Sequence, residues 1–253
     1  MGWNRYLSII VGWLLLSTSA YANFSACSQY FIHGTPPKIS AASPGRQREL
    51  CFDAFAVLYS GQSKTPVYVV EKLNKAQLLD AKGERRTNRF YEEARLPYAD
   101  RSQLTDYKDQ LLINGTAQRF DRGHMAPAGD MPDARAMAQS FSLSNMVPQA
   151  TENNRGVWAK QVEKSTRNYV MRAAGDVYVF TGPVFAAPLQ TLGSGQVWVP
   201  KYLYKLVYDP ATKRAWAHWV ENTNDAKAIG PITYAELVRR TGIEFLPETR
   251  PMN

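Results

Sequence analysis

The sequence predicts one α+β domain. Several segments of aromatic and β-branched residues are bounded by Gly, Pro or Asp, as strands are, and two polar segments carry helical patterns. No repeat, low-complexity tract or linker divides the chain, and 253 residues suffice for one good-sized core but are marginal for two.

The N-terminus has one early cation, Arg5, an apolar stretch over residues 9–16, and the small-residue pattern Ala20-Tyr21-Ala22. These features predict a signal peptide over residues 1–22, cut after Ala22, and hence an exported protein, periplasmic or secreted. The apolar run falls short of the about 20 residues a span needs, which places an uncleaved anchor second. No later run is long enough, so the mature chain, 23–253, is expected to have no stable membrane association. Cys27 and Cys51, the only cysteines, read as a disulfide in an oxidising compartment. Closing a loop of about 25 residues contributes roughly 3 kcal/mol in the chain-entropy estimate.

Residues 27–49 read as loop. The segments 50–60 and 65–73, joined by a Gly-Gln-Ser-Lys turn, read as a hairpin. Residues 74–119 are charged and predict a surface wrap with one helix near 102–111. Three further strands follow at 176–185, 198–209 and 214–222, and a helix over 233–243 ending at Gly242.

Two polar blocks carry the chemistry. The first is Asp121-Arg122-Gly123-His124, which holds one of only three histidines; the second runs from 144 to 169, "SNMVPQATENNRGVWAKQVEKSTRNY", and becomes helical from about Asn154. Val157, Val162 and Tyr169 or Val170 are its inward candidates. His124 can take a proton from water near neutral pH. Asparagine oxygens are hard, neutral ligands for Mg²⁺, and Arg122, Arg155 and Arg167 can pair with phosphate oxygens. A base, a hard-metal ligand and guanidinium groups together suit phosphodiester hydrolysis. Blander roles stand beside these: Asn154 as a helix cap with Asn153 as the rival ligand, Glu163 and Arg167 as a surface i,i+4 pair, Trp158 as core. His33 and His218 read as structural, and Asp121 and Asp130 as turn or supporting residues. The formal net charge of +8 favours a polyanionic partner. Two cysteines without C-x-x-C or H-E-x-x-H argue against a zinc site.

The blocks "DRGH", "SNMVPQ", "NRGVW" and "EKSTR", with "VYVFTGPVF" and "ELVRRTGIEFLP", resemble the DNA/RNA non-specific endonuclease family. The resemblance runs through most of the mature chain. It implies the ββα-metal nuclease fold, a central, mostly antiparallel sheet flanked by helices. It also implies a Mg²⁺-dependent endonuclease, exported by the leader's evidence, that cuts DNA and RNA to 5′-phosphate and 3′-hydroxyl ends, using one ion, with Mn²⁺ as a substitute. By the same resemblance His124 is the general base, Asn154 the metal ligand, and Arg122 a phosphate or architectural residue. Asn145 borders the site, Glu163 holds metal-bound water, and Arg167 contacts phosphate. Arg155 and an upstream arginine, Arg89 in preference to Arg86, are the substrate-binding candidates. The family motif sets Trp and Glu four residues apart, whereas Trp158 and Glu163 are five apart. A π-bulge near 158–163 would absorb the extra residue. The alternative is a nucleic-acid-binding protein of uptake or transfer that does not cut; a third is a phosphodiesterase for another substrate. Oligomeric state, a dimer included, is left open.

Overall fold

The computed structural model describes residues 23–39, 43–113 and 115–252, so the expected leader over residues 1–22 lies outside the described residues. In chain order the strands are β1 (Lys38–Ile39), β2 (Gln47–Cys51), β3 (Phe55–Ser60), β4 (Thr65–Leu73), β5 (Gln110–Ile113), β6 (Thr116–His124) and β7 (Met146–Ala150). They continue with β8 (Val177–Val184), β9 (Gln190–Leu192), β10 (Val197–Val199), β11 (Tyr202–Asp209), β12 (Arg214–Glu221), β13 (Ile232–Thr233) and β14 (Ile243–Glu244). The helices are α1 (Lys75–Asp80), α2 (Ala134–Ser140), α3 (Thr151–Asn153), a π-helical stretch over Asn154–Glu163, α4 (Lys164–Val170) and α5 (Tyr234–Thr241).

A seven-stranded sheet in the order β13-β12-β11-β8-β4-β3-β2 is antiparallel throughout. Its strands are apolar on both faces because both are covered. Ala56, Leu58, Tyr68, Phe180 and Tyr204 face the N-terminal segment, with Phe24 and Phe31, and Leu237 of α5. Phe55, Val57, Val69 and Leu203 face Met125, Phe141, Trp158 and Val162. The second layer carries both polar sequence blocks. The disulfide Cys27–Cys51 ties the N-terminal segment to β2, as expected.

Helix α5 matches its sequence signals. Thr233 caps it by accepting from the Glu236 N–H, and Gly242 ends it with φ of 67°, a left-handed conformation that suits glycine. Elsewhere the elements are more broken than the composition suggests. The 50–60 strand is two, because Phe52 N–H bonds Phe55 C=O at 2.9 Å and closes a turn. The 198–209 strand is also two: β10 pairs with β9, and Pro200, which has no N–H, precedes β11. Residues 27–49 hold 3₁₀ turns, β1 and much of β2 rather than loop alone. The helix expected near 102–111 is only the 3₁₀ turn Asp106–Lys108, followed by β5. There the buried Asp106 carboxylate accepts from Gln103 N–H and Gly195 N–H, a local alternative to helical bonding.

Candidate active site

Antiparallel pairing brings the two polar blocks together. In β6 and β7, Asp121 faces Gln149, Gly123 faces Val147 and His124 faces Met146. The chain then enters the helix over 151–170, so Asn154 returns beside Asp121 although 33 residues separate them. Two strands and a helix hold the site, a ββα arrangement. The pairing explains the glycine of the first block: a Cβ on Gly123 would lie 2.2 Å from Gln149 Oε1 and 2.6 Å from its Cβ. Gln149 in turn donates to Asn153 Oδ1 at 2.9 Å, and Asn153 donates to Glu221 C=O at 2.6 Å. Both ends of the Asn153 amide are thus engaged, whereas Asn154 engages only its nitrogen.

His124, 7 % exposed, stands edge-on to Phe141, ring centroids 4.9 Å apart, and 5.7 Å from Phe90. Two guanidinium groups stack on the same rings, Arg122 over Phe90 at 4.1 Å and Arg86 over Phe141 at 4.8 Å. Burial first, then the charges of Arg86 and Arg122, push the imidazole down to about 3. It is therefore neutral near pH 7, a proton acceptor, and its Nε2 has no hydrogen-bond partner among the described residues. Asn154 donates from Nδ2 to Asp121 Oδ2 at 2.9 Å, which fixes the amide and leaves Oδ1 without a donor among the described residues. It lies inside the continuous helix, with φ of −55°, so the N-cap alternative does not hold. Among the described residues no group of three or more His, Cys, Asp or Glu side chains could hold a metal. A cation here would be held by an amide oxygen and water, which fits a hard ion that keeps its hydration.

Arg86, Phe90, Arg122, Asn154 and Arg155 line one cleft of about 700 Å³. Arg155 is neutralised where it stands by a bidentate pair with Asp121, both distances 2.9 Å. Glu163 and Arg167 face inward, with side chains 13 % and 28 % exposed. Burial raises the Glu163 carboxyl against the opposing charges of Lys205 and Arg167. The π-helical stretch is what turns it inward. Five residues at about 100° each would leave Trp158 and Glu163 some 140° apart on an α-helix, whereas an i→i+5 turn brings them to one side. The expected bulge near 158–163 is thus present, extended over the whole of 154–163.

The structure distinguishes candidates that the sequence left side by side. Arg86, rather than Arg89, lines the cleft, and its charge acts on both His124 and Glu163. The two lie in one charged stretch; Arg86 stacks on Phe141 and bonds Asn88 Oδ1 at 2.7 Å. Asn145 is buried, accepts from Ala126 N–H, and donates to Ala126 C=O and Ser140 C=O, the contacts of a bracing residue. It thereby fixes the backbone two residues after His124. Sequence reasoning missed Phe90 and Phe141 as the walls of the histidine; their signal was faint, aromatics set among polar residues.

The family model for DNA/RNA non-specific endonucleases matches residues 34–252. Nuclease C1 of Cunninghamella echinulata var. echinulata is 35% identical over 191 residues, which are 69% of this chain and 71% of that one. The mitochondrial nuclease EXOG of Danio rerio is 29% identical over 218 residues, 75% of this chain and 58% of the relative. Human mitochondrial endonuclease G is 29% identical over 175 residues, 65% and 55% of the two chains. The chain thus spans little more than half the length of these mitochondrial relatives. The fold is shared with a crystal structure described as an EndoG/EndoGI complex, at a TM-score of 0.68 and 23% identity over 83% of this chain and 89% of that one.

Proposed function

Since the chain belongs to the DNA/RNA non-specific endonuclease family, we propose that it hydrolyses phosphodiester bonds of DNA and RNA with a single Mg²⁺ held by Asn154 Oδ1. The observation that carries this reading is the pairing of β6 with β7, which sets a neutral, buried imidazole and an oriented asparagine oxygen on one ββα unit. His124 accepts the proton of the attacking water at a ring nitrogen. Arg122 and Arg86 hold phosphate oxygens, and the aromatic rings beneath them restrict their motion. Arg167 meets charge that develops on the phosphate, and Glu163 orders water beside the cation. The ion, when bound, supplies positive charge next to the leaving 3′-oxygen. Contacts are to the backbone, so affinity falls with salt and sequence preference is weak.

The disulfide supports an exported site of action, periplasmic or secreted. The non-cleaving alternative drew its weight from a displaced Glu163, and the π-helical stretch removes that displacement.

The test is plasmid nicking by the purified mature protein with Mg²⁺, Mn²⁺ or EDTA, alongside His124→Ala and Asn154→Ala. Cutting in both metals, loss in EDTA and a fall of orders of magnitude in each variant are expected. A wild type that binds DNA but leaves it uncut in either metal would overturn the reading.

A further inference from the structure

A buried ionic node lies under the candidate site, between the His124 loop, the helix and the sheet. Arg167 Nη1 donates to Asp130 Oδ1 at 3.0 Å and stands 3.8 Å from Glu163 Oε2. Asp130, its side chain 3 % exposed, closes the 3₁₀ turn Ala128–Asp130, six residues after His124. Its N–H bonds Pro127 C=O at 3.0 Å, which makes the turn stiff. Arg167 reaches Asp130 across Gly129, where even an added Cβ would come within 3.5 Å of Nη1.

The strand register puts Glu71, Thr181 and Lys205 on the sheet face below. Lys205 Nζ donates to Thr181 Oγ1 at 2.7 Å and to Met125 C=O at 3.4 Å, and so supports the residue after His124 from beneath. Glu71 is buried with both oxygens unpartnered among the described residues, and burial and the charge of Asp130 hold its carboxyl well above the usual range. Of the three acids around Arg167, Asp130 is the one with a short bond to it.

We propose that Asp130 is a positioning residue: it holds Arg167 off its own helix neighbour Glu163 and ties the His124 loop to helix α4. Without it the guanidinium closes on Glu163 as an ordinary i,i+4 pair, and both groups are lost to phosphate and water. The inference rests on the hydrolase reading and on Arg167 as a phosphate contact.

The test is a double-mutant cycle on the disulfide-bonded mature protein, with supercoiled plasmid and Mg²⁺. It compares wild type, Asp130→Ala, Arg167→Ala and the double variant, with Asp130→Asn as a fifth protein and thermal melts for all five. Asp130→Ala should lower kcat roughly 10- to 100-fold with KM within about threefold, as supporting groups around reactive sites do. Asp130→Asn, which can still accept at Oδ1, should recover part of that loss. It also carries the test if the alanine variant does not fold. In the Arg167→Ala background, Asp130→Ala should change kcat by less than about twofold. Multiplying losses in the double variant, or wild-type kcat in Asp130→Ala or Asp130→Asn, would overturn the inference. A wild type that does not cut overturns the hydrolase reading beneath it, so the two failures are told apart.

Discussion

At the scale of single residues, the candidate site is a set of polar groups held by specific neighbours. Gly123 is glycine because Gln149 occupies the space a side chain would need. Gly123→Ala should therefore destabilise the fold by about 1–3 kcal/mol, the usual range for overpacking. A urea midpoint equal to that of the wild type would show that Gln149 yields. Asp121 orients two residues, Asn154 through Nδ2 and Arg155 through its guanidinium. Asp121→Ala should raise the Mg²⁺ concentration for half-maximal cutting about 10-fold or more, as lost supporting groups do at metal sites, with little change in melting temperature. Unchanged metal dependence would mean that the Asn154 amide is set by other contacts. Roles at this scale were only partly legible in the sequence. His124 stood out by its polar, glycine-rich setting, and Asn154 by its spacing against the family motif. Arg86 over Arg89 did not, since a choice between neighbours on a charged stretch is made by the tertiary groups each one meets.

At the scale of elements, the π-helical stretch over Asn154–Glu163 is the feature that reconciles an extra residue with an inward carboxylate. Lys160 lies exposed within it. Deleting Lys160 restores the four-residue spacing of Trp and Glu and allows regular α-helical bonding. The variant should fold, melt at or above the wild-type temperature, and nick plasmid at a rate within about threefold of wild type. A folded variant with cutting lost would show that the wider turn does more than absorb one residue. Spacing against the family motif made this bulge readable, but its length was not, because i→i+5 bonds spread along a helix according to how Val157, Trp158 and Val162 pack on the sheet.

At the scale of the whole molecule, the sheet is buried on both faces, and this sets the response to acid. Burial, reinforced by nearby cations, holds His124 down to about 3 and His218 down to about 4. Both are neutral in the folded chain at pH values where the unfolded chain, near 6.5, already binds protons. Their contribution to stability is present above pH 6.5 and is lost as the pH falls toward 4. Glu71 acts in the opposite sense, because its raised carboxyl stabilises the fold at low pH and stops doing so as the pH rises. His218→Gln should accordingly lose less stability than wild type between pH 7 and pH 4.5 in urea titrations. Parallel losses in the two proteins would show that His218 takes up its proton without unfolding.

What the sequence by itself determined is local or nearly so: the cysteine pair, most strand centres, the capped helix ending at Gly242, and His124 and Asn154 as candidates. Each is written in residue types, periodicity or spacing along a short stretch. Tertiary structure alone decided that Asn145 braces the backbone beside Ala126, that Arg86 enters the cleft, and that Arg167 has its shorter ion pair with Asp130 rather than with Glu163. These outcomes depend on which distant groups share a buried space, and there a charge or an amide takes the partner that burial leaves within reach.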